Sequence, residues 1–164
     1  MNIHRARIRR GFSMIELLIV MGIAGIIATL AMGRTTRMIT AWRVNAAAQA
    51  IQNDLQSAFA IVGRNRKPLV VSIDKTKMQL RLVSRTGVDT FRLRALGASS
   101  TYKLEASNVT VYPATTPTTL EIYPPGLASD SLSILIKKDG AARRIRMLRG
   151  GLVQICNTGV NTTC

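Results

Sequence analysis

One stretch constrains this chain more than any other. Phe12–Gly33 reads FSMIELLIVMGIAGIIATLAMG, 22 residues with a single charge, Glu16. As a helix it would be about 33 Å long, enough to cross a hydrocarbon layer. A secretory signal peptide has a shorter apolar core and small residues just after it, and neither fits here. A plain anchor leaves Glu16 unexplained, because an ionised carboxylate in hydrocarbon costs at least ~2.5 kcal/mol and should have a partner. The arginines before the run (Arg5, Arg7, Arg9 and Arg10) belong on the cytoplasmic side, so the chain beyond Gly33 faces outward. The chain is 164 residues long, which suits one further domain after this segment.

The apolar pattern then changes period. Residues 34–62 contain no proline, and Ala46, Ala47, Ala48 and Ala50 favour helix. Ile51, Leu55, Phe59 and Val62 form one apolar stripe, expected to pack on the C-terminal domain, with Gly63 as the C-cap. Trp42 could join that stripe or sit near a membrane interface. From Pro68 onward, short β-branched and apolar runs alternate with turns. The expected strands are Leu69–Ile73, Met78–Val83, Phe91–Ala95, Val109–Tyr112, Leu120–Tyr123, Leu132–Ile136, Arg144–Leu148 and Leu152–Cys156. Thr115–Thr119 reads as a polar Thr/Pro loop. Alternation predicts Phe91 and Leu93 inward with Arg92 and Arg94 outward. It likewise predicts Ile145 and Met147 inward with Arg144 and Arg146 outward. The fold class is α+β: a long N-terminal helix, its first half transmembrane, packed on an antiparallel β domain. The expected divisions are a leader over 1–11, the apolar helix over 12–33, its soluble continuation over 34–63 and the β-rich domain over 64–164.

The segment RRGFSMIELLIVMGI resembles the type IV prepilin signature. The resemblance implies cleavage after Gly11 by a prepilin peptidase, N-methylation of the new terminus Phe12, and retention of Glu16 for assembly. The physics is consistent with this: the Phe12 amine and a neighbouring subunit's Glu16 can each leave water only with the other present, which favours registered assembly. A second resemblance covers IYPPGLASDSLSILIKKDGAARRIRMLRGGLVQIC, which is similar to the end of the GspH/FimT family of minor pilins and pseudopilins. It implies a pilin-like, immunoglobulin-sandwich-like β domain in a type IV pilus or a type II secretion pseudopilus. It further implies a single-pass protein of the bacterial inner membrane, with the C-terminal domain periplasmic or on the filament surface. The implied partners are the peptidase/methyltransferase and other pilins or pseudopilins.

Charge raises a second functional reading. Net charge is +15, from 23 Lys+Arg against 8 Asp+Glu, and without the four leader arginines 19 cations remain, or +11. Such a product attracts anionic partners, DNA among them. Lys137, Lys138, Arg143, Arg144, Arg146 and Arg149 fall within 13 residues and are the candidate DNA-contacting set. Some FimT-like proteins bind DNA through a glycine-arginine-x-arginine run in the last strand. This chain has Gly151-Leu152-Val153-Gln154 there, so that site does not transfer. Tyr102, Tyr112 and Tyr123 show no interleaving with basic residues of the kind that stacks bases.

Other chemistry is thin. The only histidine, His4, lies in the leader, which removes imidazole triads and histidine metal sites from the mature chain. No phosphate-binding or dinucleotide glycine pattern occurs, so no catalytic residues, cofactor or metal ligands are expected. Cys156 and Cys164 enclose seven residues and suit a structural disulfide in an oxidising compartment. Such a bond would contribute about 2–3 kcal/mol by loop closure. The terminal CNTGVNTTC also resembles the closing cysteine pair of some FimT-like chains.

Overall fold

In a computed structural model the chain is described over residues 12–114 and 118–157, apart from the side chains of 30–34. It divides into two units between Thr36 and Arg37. A helix, α1, runs Met14–Asn65. In the first unit its described side chains, through Thr29, are exposed on every side. Among the described residues no helix is long and apolar enough to cross a membrane. The apolar run read from the sequence continues to Gly33, beyond the last described side chain of this stretch.

In the second unit the same helix acquires a buried face. Val44, Ala47, Ala48, Ile51, Leu55, Ala58 and Val62 are fully or almost fully buried, at spacings of three and four apart from the adjacent Ala47 and Ala48. The alanines allow close approach of the backbone, and the larger residues supply apolar area. Phe59 packs against this core from its margin. Trp42 is 59% exposed and so lies off the stripe. Gly63 is not the cap expected of it. The helix runs two residues further to Asn65, and Arg66 takes the left-handed φ of 51° that ends it, its N–H bonding to the Val62 carbonyl at 2.9 Å.

Among the described residues, nine strands lie beyond α1: β1 Leu69–Asp74, β2 Gln79–Ser84, β3 Thr90–Ala95, β4 Val109–Tyr112, β5 Thr118–Tyr123, β6 Leu127–Ala128, β7 Leu132–Lys138, β8 Ala141–Met147 and β9 Val153–Asn157. They form two antiparallel sheets, ordered β3-β2-β1-β5-β6 and β4-β7-β8-β9. The inward residues of both sheets (Leu69, Val71, Leu80, Leu82, Ile122, Ile134, Ile145 and Met147 among them) join the α1 stripe in one apolar cluster. Hydrogen bonds tie α1 to both sheets. Gln52 Nε2 donates to the Val153 carbonyl in β9 at 3.1 Å, and the Asp54 carboxylate accepts from β3.

Seven of the eight expected strands match within two residues at each end. The Arg144–Leu148 expectation starts three residues late, because β8 begins at Ala141. Met78 falls outside β2, since its φ of 47° belongs to the preceding turn. Thr118 and Thr119, read as loop, pair with Ile73 and Ser72 and open β5. The two-residue β6 gave no sequence signal of its own.

Strand β3 reverses its expected orientation. Arg92 and Arg94 face the core, whereas Phe91 is 43% and Leu93 58% exposed. The physical cause is Asp54, which lies on the buried stripe of α1 with no exposure at all and requires cations opposite it. In β8 the expected orientation holds: Ile145 and Met147 are buried and Arg146 is exposed.

Candidate functional site

The N-terminal candidates are partly visible. Gly11 lies outside the described residues. Phe12 is 79% exposed, just before the first turn of α1. The Ser13 carbonyl accepts the N–H groups of Glu16 and Leu17, at 3.1 and 3.2 Å, and so starts the helix. Glu16 therefore stands in the first turn, where the partial positive charge of the helix terminus favours a carboxylate. Among the described residues it has no ion-pair partner. The surrounding Ile15, Leu17, Leu18, Ile19 and Val20 are all exposed. A helix apolar on every side has a non-aqueous surrounding as its stable place, either lipid or other helices.

The basic cluster separates on folding. β7 and β8 are joined by the two-residue turn Asp139–Gly140, whose φ values of 47° and 84° match the mirror-image turn of tight hairpins. The strand register puts Lys137, Arg144 and Arg146 on the outer face of the four-stranded sheet, with Ser133 and Leu135. Lys138 and Arg143 belong to the opposite face. Lys138 Nζ donates to the Lys103 carbonyl at 2.8 Å, and Arg143 Nη1 donates to the Ala142 carbonyl at 2.8 Å. Arg149 lies beyond β8 with its carbonyl bonded to the Ala128 N–H at 2.8 Å. The structure thus brings three of the six cations onto one face. Beside Arg146, a depression of about 200 Å³ is lined by Tyr112, Asp130, Ser131 and Ser133, among others. Asp130 places a carboxylate there, so the outer face is not uniformly cationic.

A charged cluster that sequence reasoning did not single out sits between α1 and β3. Arg92 Nη1 donates to Asp54 Oδ1 at 2.7 Å, Arg94 Nη2 donates to the same oxygen at 2.9 Å, and Arg94 Nε donates to Oδ2. Arg94 Nη1 also reaches Tyr102 Oη at 3.1 Å. The Asp54 hydrogen bonds hold the Arg94 guanidinium above the usual arginine range and outweigh the opposing effect of burial. A sequence signal did exist: Asp54 is three residues after Ile51 and four before Ala58, so it lies on the apolar stripe. A smaller surface cluster joins Arg85 Nε, Glu121 and Tyr123, with Arg85–Glu121 at 3.0 Å and the Tyr123 hydroxyl donating to Glu121 at 2.5 Å. The Glu121 hydrogen bond, assisted by its charge, raises the Tyr123 phenol above its ordinary value.

Cys156 lies on β9, and Cys164 lies outside the described residues. Among the described residues no group of three or more His, Cys, Asp or Glu could hold a metal ion.

Comparison with known proteins agrees with this arrangement. Residues 6–32 match the prokaryotic N-terminal methylation motif. No curated protein matches the chain. Two crystal forms of the type IV minor pilin FimU of Pseudomonas aeruginosa are similar in structure. One has a TM-score of 0.55 at 17% identity over 74% of this chain and 94% of FimU. The other has a TM-score of 0.55 at 16% identity over 74% of this chain and 99% of FimU. The chain thus has the pilin fold, a long N-terminal helix packed on antiparallel sheets.

Proposed function

We propose that this chain is a minor pilin or pseudopilin of the GspH/FimT type, a structural filament subunit rather than an enzyme. Prepilin peptidase removes residues 1–11, and Phe12 becomes the methylated N-terminus. Before assembly, residues 12–33 hold the protein in the inner membrane with its β domain outside the cytoplasm. During assembly the same residues pack against other pilins or pseudopilins, and Glu16 meets the Phe12 amine of a neighbour. Residues 34–63 continue the helix into the β-rich domain over 64–164, and a Cys156–Cys164 disulfide fastens the tail to β9. The observation that carries this reading is the methylation-motif match over residues 6–32. The exposed apolar surround of Glu16 supports it. Mass spectrometry of the mature chain tests it: the expected product begins at methylated Phe12, and Gly11→Ala leaves the leader attached. A mature terminus elsewhere overturns the reading.

A second reading is DNA capture for uptake, favoured by one observation: Lys137, Arg144 and Arg146 share the outer face of the four-stranded sheet. Contacts of that kind are to phosphates, so binding should weaken steeply with salt and depend little on sequence. A salt-titrated DNA-binding measurement on residues 34–164 tests it, and neutralising Arg144 and Arg146 should weaken any binding. Absence of binding at low salt ends this reading.

A further inference from the structure

The second unit begins, at Arg37, with an open cavity that the filament reading does not use. It has a volume of about 500 Å³ and is lined by Arg37 and Ala41 of α1 and by Asp139, Gly140 and Ala141 at the β7–β8 turn. That volume is within the range of small-molecule sites. The turn is tied to the helix by the buried Thr40, whose Oγ1 donates to Asp139 Oδ2 at 3.4 Å. Arg37 and Asp139 carry opposite charges and line one space, yet neither has an ion-pair partner among the described residues. The cavity thus presents two opposite charges that a single zwitterionic group can satisfy together.

We infer that this cavity takes the headgroup of a phospholipid that bears a phosphate and a primary amine. The phosphate meets the Arg37 guanidinium, and the ammonium donates to the Asp139 carboxylate. The occupant follows from the length of chain between the cavity and the apolar run. Gly33 closes that run, and the four residues on to Arg37 reach no more than about 14 Å even when fully extended. In an anchored chain Arg37 therefore stays close to the headgroup layer, where such a ligand is abundant. Met38 (77% exposed) and Trp42 (59%) stand beside the cavity residues in sequence, and an exposed tryptophan suits a membrane interface. The chemistry of the lining selects among headgroups. A carboxylate disfavours a headgroup that is only anionic, such as phosphoglycerol. A quaternary phosphocholine has no N–H to donate to Asp139, and no aromatic ring lines the cavity to hold it among the described residues. This inference rests on the reading of residues 12–33 as a membrane anchor.

Trp42 is the only tryptophan and directly follows Ala41, so its fluorescence reports on lipids at this position. The test uses the full-length chain in phosphocholine bilayers. These are doped in turn with equal small fractions of phosphoethanolamine, phosphoglycerol or phosphocholine lipids that carry a quenching bromine high on the acyl chain. Quenching by the phosphoethanolamine lipid should exceed quenching by either of the others about threefold. Arg37→Gln should bring it down to the phosphocholine level. Asp139→Asn should move the preference to phosphoglycerol, because it removes the repulsion and leaves Arg37. Asparagine tolerates the φ of 47° at this turn, and an unchanged thermal transition serves as the folding control. Equal quenching by all three lipids, or a phosphoglycerol preference in the unaltered chain, overturns the headgroup site. An unaltered preference in both variants overturns it as well. Each of those results leaves the anchor reading standing, since Trp42 is still reached by lipid. No quenching by any lipid removes the anchor reading and the headgroup site with it.

Discussion

Asp54 is the residue on which the domain's charge arrangement turns. It accepts from two guanidinium groups at once and has no exposure of its own. The Arg92 and Arg94 side chains are 46% and 26% exposed, so removing the carboxylate strands two cations that retain some access to water. Asp54→Ala should therefore cost about 2–3 kcal/mol, near the lower end for a broken buried pair. Denaturant unfolding of the β domain measures it, and replacing both arginines with leucine in the same variant should recover part of the loss. Tyr123 gives a test by titration. Its phenol is raised mainly by the Glu121 hydrogen bond. A raised folded value means that its stabilising contribution is complete below the free phenol value, about 10, and disappears as pH climbs through the folded value. Ultraviolet titration, assigned with Tyr123→Phe, should show this phenol ionising later than a free tyrosine. Glu121→Gln should bring the midpoint back down.

Among the elements, the β8–β9 connection is the most exacting. Gly151 adopts φ +87°, and a Cβ added there would lie 3.3 Å from two ring carbons of Phe59. Gly151→Ala combines a left-handed backbone penalty with displacement of a ring that packs on the core, and about 2 kcal/mol of lost stability is expected. Thermal unfolding should show this as a clear fall in midpoint, while Gly150→Ala, with nothing near its Cβ, should change little. The elements differ in how far the sequence disclosed them. β4 was legible to the residue because β-branched residues alternate between a 3-10 turn at Ala106–Asn108 and Pro113. The α1 stripe was legible because its period is that of a helix. The orientation of β3 was not, because alternation alone gives two equivalent choices and a residue far away in sequence decides between them. The same long-range dependence hid the division of the basic hairpin: five of the six clustered cations fall on two faces once Ile136 pairs with Arg143, and Arg149 lies beyond the paired strands.

At the scale of the molecule, the N-terminal run and the β domain have opposite solvent requirements. Residues 14–29 expose apolar side chains all around, whereas 44–62 bury one face and leave the other to water. Glu16 is the one charge in the N-terminal run, and on the proposed reading it meets a neighbouring subunit's amine in the filament. Glu16→Ala should accordingly leave membrane insertion intact, or slightly improved, and reduce incorporation into filaments. Membrane fractionation and quantification of sheared filaments measure the two separately, and equal loss of both would contradict amine pairing.

The bonds from Gln52 and Asp54 have a mechanical consequence. The two residues lie roughly 200° apart around the helix, and one bonds to β9 while the other bonds to β3. A helix held only by an apolar stripe can roll in its groove, because methyl groups resist rotation weakly and slip from one neighbour to the next. Fixed from two sheets at nearly the same height, this one cannot. A torque on the segment of α1 within the second unit, residues 37–65, therefore reaches both sheets together through these two bonds.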